Sequence, residues 1–251
     1  YRHLTIWDKG EVVELTPPHD VLGQVIGQYL PKTEALREMM KKSYDILSNH
    51  PINVERMKKG LNPANSIWFW GAGTRPALAP FVEKTGHTGA MISAVDLLKG
   101  IAVGADMKVV EVEGANGGLD TNYEGKADAA VEALLKDDLD FAYIHLEAPD
   151  EMGHQGSFER KVQAIENLDK RIIKRVTEQL EAAGTDFRML VLPDHPTPVA
   201  IRTHVSDPVP YMLYDSTNKQ SHTWNYNEKE AQESGNYIDK GYTIINHLFE
   251  K

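Results

Sequence analysis

The chain has 251 residues, with 27 basic against 37 acidic side chains for a formal net charge of −10, a hydrophobic fraction of 41% and no cysteine. Such a length makes one large or two small globular domains with ample core. The composition excludes a general nucleic-acid binder, whose basic stripe is absent here, and any thiol chemistry: a metal would have to be held by His and carboxylates.

Residues 1–30 alternate short apolar groups (Leu4, Ile6, Trp7; Val12, Val13) with turn residues (Lys9-Gly10, Pro17-Pro18, Gly23, Gly27), and predict a short hairpin followed by loop. Over 33–49, Leu36, Met39, Met40, Tyr44 and Leu47 recur at the helical period, with Thr33 as N-cap and His50-Pro51 as the stop. A polar stretch with Gly60 and Pro63 follows. Strands are then expected at 66–70, 89–94, 108–113, 140–148, 188–194 and 208–214, interleaved with helices at 96–104, 124–136, 158–183 and 239–249. The 158–183 helix carries Val162, Ile165, Leu168, Ile172, Val176 and Leu180 on one face. Strands separated by helices require crossovers, so the fold class is α/β, three-layer α/β/α with a mostly parallel sheet. Ligands of such sheets sit beyond the carboxyl ends of the strands.

No apolar run approaches the ~20 residues that span a bilayer. The first residues form no signal peptide, having neither a basic n-region nor an apolar h-region. The expected partners therefore include no nucleic acid and no membrane, and the expected location is cytoplasmic. The chain begins with Tyr1 rather than Met, which points to something removed upstream.

Two post-strand segments carry chemistry. In Glu147-Ala148-Pro149-Asp150-Glu151-Met152-Gly153-His154-Gln155-Gly156, Asp150 and His154 stand four apart on a turn of helix and can share one ion. In Asp194-His195-Pro196-Thr197-Pro198, the adjacent side chains of Asp194 and His195 are expected to diverge and to frame a site from two directions. His204 follows in Arg202-Thr203-His204. Two Asp and three His at one end of the sheet suit adjacent divalent ions that clamp phosphoryl oxygens, although five ligands do not fill two shells.

Other features read more plainly. His50, His87, His222 and His247 are ordinary loop or surface histidines. Gly71-Ala72-Gly73-Thr74-Arg75-Pro76 is no dinucleotide loop, since its third glycine position is Pro76. Gly114 to Gly118 is a tight turn. Lys99 is either a phosphate ligand or a solvated helix lysine. No Gly-x-Ser-x-Gly elbow occurs, so a nucleophilic serine is missing from the chemistry.

The segments at 148–156, 193–198 and 202–204, the last ahead of Asp207-Pro208-Val209-Pro210, resemble the metal motifs of cofactor-independent phosphoglycerate mutases. The archaeal-type branch, within the alkaline phosphatase superfamily, is the better match. Tyr1-Arg2-His3-Leu4, Thr16-Pro17-Pro18-His19-Asp20, Asn62-Pro63-Ala64-Asn65, Asp96-Leu97-Leu98-Lys99-Gly100-Ile101 and Gly118-Leu119-Asp120-Thr121-Asn122 extend the resemblance over nearly the whole chain.

The resemblance implies an alkaline-phosphatase-like fold and interconversion of 2- and 3-phosphoglycerate through a phosphoserine, without bisphosphoglycerate. It implies two divalent ions, Mn²⁺ before Zn²⁺, Co²⁺ or Mg²⁺. Asp150, His154 and His204 would hold one, and Asp194 and His195 would belong to the other. Arg2, His19 and Lys99 match positions that meet the small phosphorylated hydroxy-acid substrate. It further implies that 1–30 is a remnant of an inserted substrate-covering domain and 31–251 the metal-binding core. The Asp-Gly strand and nucleophilic Ser would lie in a missing N-terminal segment upstream of Tyr1, and the chain alone would be inactive. A homoserine kinase-like phosphotransferase and a non-catalytic metal- or partner-binding remnant are the alternatives. The oligomeric state is not readable.

Overall fold

The computed structural model describes residues 3–21, 23–220 and 223–250, with His19 described in its backbone alone. Contacts divide the chain into two compact units, Tyr1–Pro76 and Ala77–Lys251. The division thus falls at residue 76 and not at residue 30.

In the first unit the described part of 1–30 forms no hairpin. A turn closes through Gly10 N–H to Trp7 O (3.2 Å), but no ladder follows it. Pro17 and Pro18 offer no N–H to a partner strand, and 3₁₀ turns occupy Pro18–Val21 and Ile26–Tyr29. Helix α1 (Glu34–Ser48) buries Leu36 and Met40 as its period predicts, whereas Tyr44 stays exposed. Thr33 holds the N-cap position without a side-chain cap bond.

His50-Pro51 ends α1 and also starts α2 (Pro51–Lys58), a helix the sequence reading does not contain. The His50 imidazole accepts from Ile52 N–H, and Pro51 occupies the first turn where its missing N–H costs nothing. Residues 31–76 join this unit through buried polar side chains. Asn53 donates to Leu47 O and Ala64 O (both 2.8 Å) and accepts from Ala64 N–H (2.9 Å). The predicted strand at 66–70 joins no ladder among the described residues: Ile67 N–H goes to Ser43 Oγ (3.0 Å) and the Trp68 indole to Thr16 O (2.8 Å).

The second unit is a three-layer α/β/α fold with a largely parallel sheet. Strand β1 (Gly89–Ile92) is fully buried and pairs in parallel with β2 (Lys108–Val109) and β3 (Phe141–Ile144), in the order β2-β1-β3. Its continuous burial matches a short apolar run with covered faces. Helices α3 (Phe81–Thr85), α4 (Asp96–Gly104) and α5 (Tyr123–Leu135) precede and connect these strands.

The last pair differs: β4 (Arg188–Val191) and β5 (Met212–Asp215) form a separate antiparallel ladder. Between them the chain makes no crossover helix, so it can return antiparallel. The ladders are also shorter than predicted, because the segments after the strands leave the sheet to build the functional edge.

Helix α6 (Ala148–His154) follows β3. The predicted helix at 158–183 is continuous but contains a π turn at Asp169–Ile173 between α7 (Phe158–Leu168) and α8 (Lys174–Ala182). Ile172, Val176 and Leu180 are buried from it, with Ala164, whereas Val162 and Ile165 of the predicted apolar face are exposed. The alanines of α5 let it lie close to both neighbours. Ala127 and Val131 pack with Ala148, Met152 and Val176, while Ala130 and Ala133 pack with Ala90 and Ile92. Helices α9 (Glu228–Glu233) and α10 (Ile244–Phe249) come last; the predicted 239–249 helix is a 3₁₀ turn, Gly241–Thr243, running into α10.

Candidate metal centre

The carboxyl edge of β3 carries the site. Pro149 stands in the first turn of α6, and the i, i+4 spacing puts Asp150 and His154 on one face. Asp150 Oδ2 is 3.3 Å from His154 Nε2. His204 reaches in from the loop between β4 and β5: its Nε2 lies 3.3 Å from Asp150 Oδ1 and 3.1 Å from His154 Nε2. These atoms form a three-ligand group that can hold a metal ion. Ligand atoms about 2.0–2.1 Å from one ion at tetrahedral angles stand about 3.3 Å apart. The spacing therefore fits a single divalent cation.

His154 is prepared for that role. Its Nδ1 faces the Arg202 carbonyl at 3.0 Å, and a carbonyl only accepts, so Nδ1 carries the hydrogen and Nε2 presents a lone pair. Two glycines admit the loop. A Cβ on Gly153 would collide with Thr197 O, and Gly156 combines a φ of 67° with a close pass of the Arg202 guanidinium. The Met-Gly-His-Gln-Gly run thus specifies how near the loop may come.

Asp194 and His195 do not diverge as expected for extended chain. The backbone bends there, His195 N–H donates to Asp194 Oδ1 (2.9 Å), and His195 Nε2 lies 3.2 Å from Asp194 Oδ2. The His195 ring packs on His204 with centroids 3.6 Å apart, so the five predicted residues lie together.

Of the predicted substrate contacts, Arg2 lies outside the described residues, as does the side chain of His19. Lys99 on α4 is paired with Glu111, its Nζ 2.9 and 2.7 Å from the two carboxylate oxygens. Among the described residues the structure brings neither partner onto the three-ligand group. His87 stacks on Phe249 (4.3 Å), His247 meets Glu250 (3.1 Å), and His222 is outside the described residues.

Two features escape the sequence reading. Thr197 is buried and its hydroxyl donates to Asp150. Behind the site, the fully buried Lys126 of α5 donates to His145 O (3.0 Å) and lies 3.6 Å from Glu147 Oε2. Burial pulls the Lys126 ammonium below its usual range, with Glu147 acting in the opposite sense. His145 Nδ1 stands 3.3 Å from Ser93 Oγ and 3.8 Å from Glu147 Oε1, and burial likewise lowers its pKa. The signal for Lys126 was helical phase: it shares the face of Tyr123, Ala127 and Ala130, all buried.

A family model described as Metalloenzyme superfamily matches residues 19–250. The chain belongs to the metalloenzyme superfamily. It is 48% identical over 240 residues to the 2,3-bisphosphoglycerate-independent phosphoglycerate mutase of Methanosarcina barkeri, covering 94% of this chain and 60% of that one. It is 44% identical over 256 residues to a probable enzyme of the same name from Geobacter sulfurreducens, covering 100% and 63%.

Among solved structures, the PH0037 protein of Pyrococcus horikoshii matches with a TM-score of 0.69 at 33% identity, over 80% of this chain and 51% of that one. The cofactor-independent phosphoglycerate mutase of Thermoplasma acidophilum matches at 0.51 and 26% identity, over 86% and 51%. The chain spans about 60% of the length of the first of these relatives.

The expectation of a C-terminal portion, read from Tyr1, is corrected: a first residue other than Met is no evidence of loss, and the Geobacter alignment takes in 100% of this chain and 63% of that protein. Among the described residues no helix is long and apolar enough to cross a membrane.

Proposed function

We propose that this superfamily member interconverts 2-phosphoglycerate and 3-phosphoglycerate by metal-dependent phosphoryl transfer, without bisphosphoglycerate. The observation that carries the reading is the convergence of Asp150, His154 and His204 at 3.1–3.3 Å, in a chain 48% identical to a mutase.

In this reading Asp150, His154 and His204 hold one divalent ion, and Asp194 and His195 contribute to a second. The oxygen and imidazole donor set suits Mn²⁺, with Zn²⁺, Co²⁺ and Mg²⁺ as alternatives. When bound, the ions neutralise charge on the phosphoryl oxygens as the group moves between hydroxyls. Arg202 O keeps the hydrogen of His154 on Nδ1, so that Nε2 stays free for a ligand bond. Ligation through His204 Nε2 would need that nitrogen without its hydrogen. Arg2, His19 and Lys99 are assigned to the substrate phosphate and carboxylate; Lys99 would exchange its Glu111 partner for the substrate anion.

The test is ³¹P NMR of purified protein with 3-phosphoglycerate and Mn²⁺. Interconversion that EDTA stops and Asp150→Asn abolishes is expected. Metal-loaded protein that leaves the substrate unchanged, or that instead phosphorylates homoserine from a nucleotide, would overturn the assignment.

A further inference from the structure

We propose that Thr197 is a positioning residue that joins the two ligand groups, setting the tautomer of His195 through one hydroxyl shared with Asp150. This rests on the metal-centre reading above, but its chemistry follows from counting hydrogens.

A threonine hydroxyl has one hydrogen to donate and can accept in return. The Thr197 hydroxyl lies against Asp150 Oδ1, which as a carboxylate only accepts, so the hydrogen goes there. The same oxygen is 3.3 Å from His195 Nδ1. Having given up its hydrogen, it can only accept from that nitrogen. A neutral His195 then carries its hydrogen on Nδ1 and presents a bare lone pair at Nε2.

That assignment changes the meaning of the neighbouring pair. His195 Nε2 faces Asp194 Oδ2 at 3.2 Å. If Nε2 carried the hydrogen, the two would be a self-satisfied hydrogen bond with no use for a metal. With the hydrogen on Nδ1 they are two acceptors facing each other, separated by the edge of a coordination polyhedron, and a cation between them relieves the conflict. Asp194 Oδ1 is already held by His195 N–H, so Oδ2 is the oxygen left to bind.

Thr197 is fixed where this works. It is buried, its carbonyl accepts from Lys161 Nζ at 2.6 Å, and Gly153 of α6 packs on it without a Cβ. One side chain therefore orients a ligand of the first ion and selects the ligating form of a residue assigned to the second. An outer-shell hydrogen bond of this kind commonly changes metal affinity by about 10–100-fold.

The experiment pairs two measurements on the whole chain. In metal-free protein labelled with ¹⁵N-histidine, long-range ¹H–¹⁵N correlations, assigned with His195→Gln, should show His195 hydrogenated at Nδ1. Thr197→Val, which keeps the shape and removes the hydroxyl, should move the hydrogen to Nε2. In a Mn²⁺ titration followed by calorimetry, Thr197→Val should weaken binding by about 10–100-fold, and Thr197→Ser should restore it to within a few-fold.

An Nε2-hydrogenated His195 in the wild type, or wild-type Mn²⁺ affinity in a folded Thr197→Val, would overturn the proposal. Failure of wild type to bind Mn²⁺ would instead sink the metal-centre reading, while the tautomer still decides the role of Thr197. Should Thr197→Val not fold, the wild-type tautomer alone carries the decision.

Discussion

Two clusters of acids lie on the second unit, and they are answered differently. On the seam between α5 and the α7–α8 helix, Arg171 grips both oxygens of Glu124 (2.6 Å each) and Arg175 those of Asp128 (2.7 and 2.8 Å), with Gln179 adding a bond to Asp128 (2.7 Å). The acids are four apart on one helix and the arginines four apart on the other, so the pairs stack in register. At the carboxyl edge, Asp150 and Asp194 meet three imidazoles, and among the described residues no guanidinium or ammonium lies within ion-pair reach of either. The seam is complete as it stands. At the edge, Asp150, His154 and His204 instead form a group that can hold a metal ion.

That contrast yields an ordered set of outcomes. The largest effect belongs to the edge. Outer-shell changes cost about 10–100-fold in metal affinity, and His154→Ala, which removes a ligand, should weaken Mn²⁺ binding by on the order of 100-fold or more. Arg175→Met on the seam should leave it unchanged. Calorimetric titration of both variants checks the pair.

The next effect is structural. Lys126→Met strips the buried partner from Glu147, whose Oε2 already lacks a hydrogen bond, and should destabilise the fold by about 3–5 kcal/mol in urea titrations. The double variant Lys126→Met with Glu147→Gln should recover part of the loss; equal losses in both would contradict this view of the pair.

On the seam the pairs are partly solvated, with Arg171 and Glu124 side chains 38% and 42% exposed. Each is worth roughly 0.5–1 kcal/mol in a double-mutant cycle. A coupling above about 3 kcal/mol would mean that the seam behaves as buried ion pairing does.

The smallest effect is on pH dependence. Thr217 and then Arg188 hold Asp215 at about 2, below its ordinary 3.8. The folded form holds on to its charge longer than the unfolded chain does. This contribution is therefore fully present above pH 3.8 and lost as pH falls through about 2. Asp215→Asn should flatten the acid limb of the thermal-stability profile in that window; an unchanged limb would show that the hydrogen bonds do not act on stability. His145 works in the same sense nearer neutrality, since burial keeps it uncharged in the fold: the stability it brings is present above its ordinary 6.5 and diminishes below.

Much of this was legible because local periodicity and placement agree. The buried run at 89–92, the Ala-rich phase of α5 and the i, i+4 pair of Asp150 with His154 are properties of short stretches. What was not legible depends on partners distant in sequence. The stretch at 66–70 is strand-like in composition but joins no ladder among the described residues. The 188–191 strand pairs antiparallel because of what the intervening loop fails to contain. Thr197, between two prolines, reads as turn chemistry until α6 is laid against it through Gly153. The π turn at Asp169–Ile173 is invisible in the apolar pattern, yet the helix that contains it sets Arg171 and Arg175 opposite Glu124 and Asp128.

The central claim is that Asp150, His154 and His204 together bind a divalent cation. It is tested most directly by titrating Mn²⁺ into metal-stripped wild type and Asp150→Asn in one calorimetric experiment. Saturable binding by the wild type that is lost in Asp150→Asn is the predicted result. No binding by the wild type, or the same isotherm from both proteins, would contradict it.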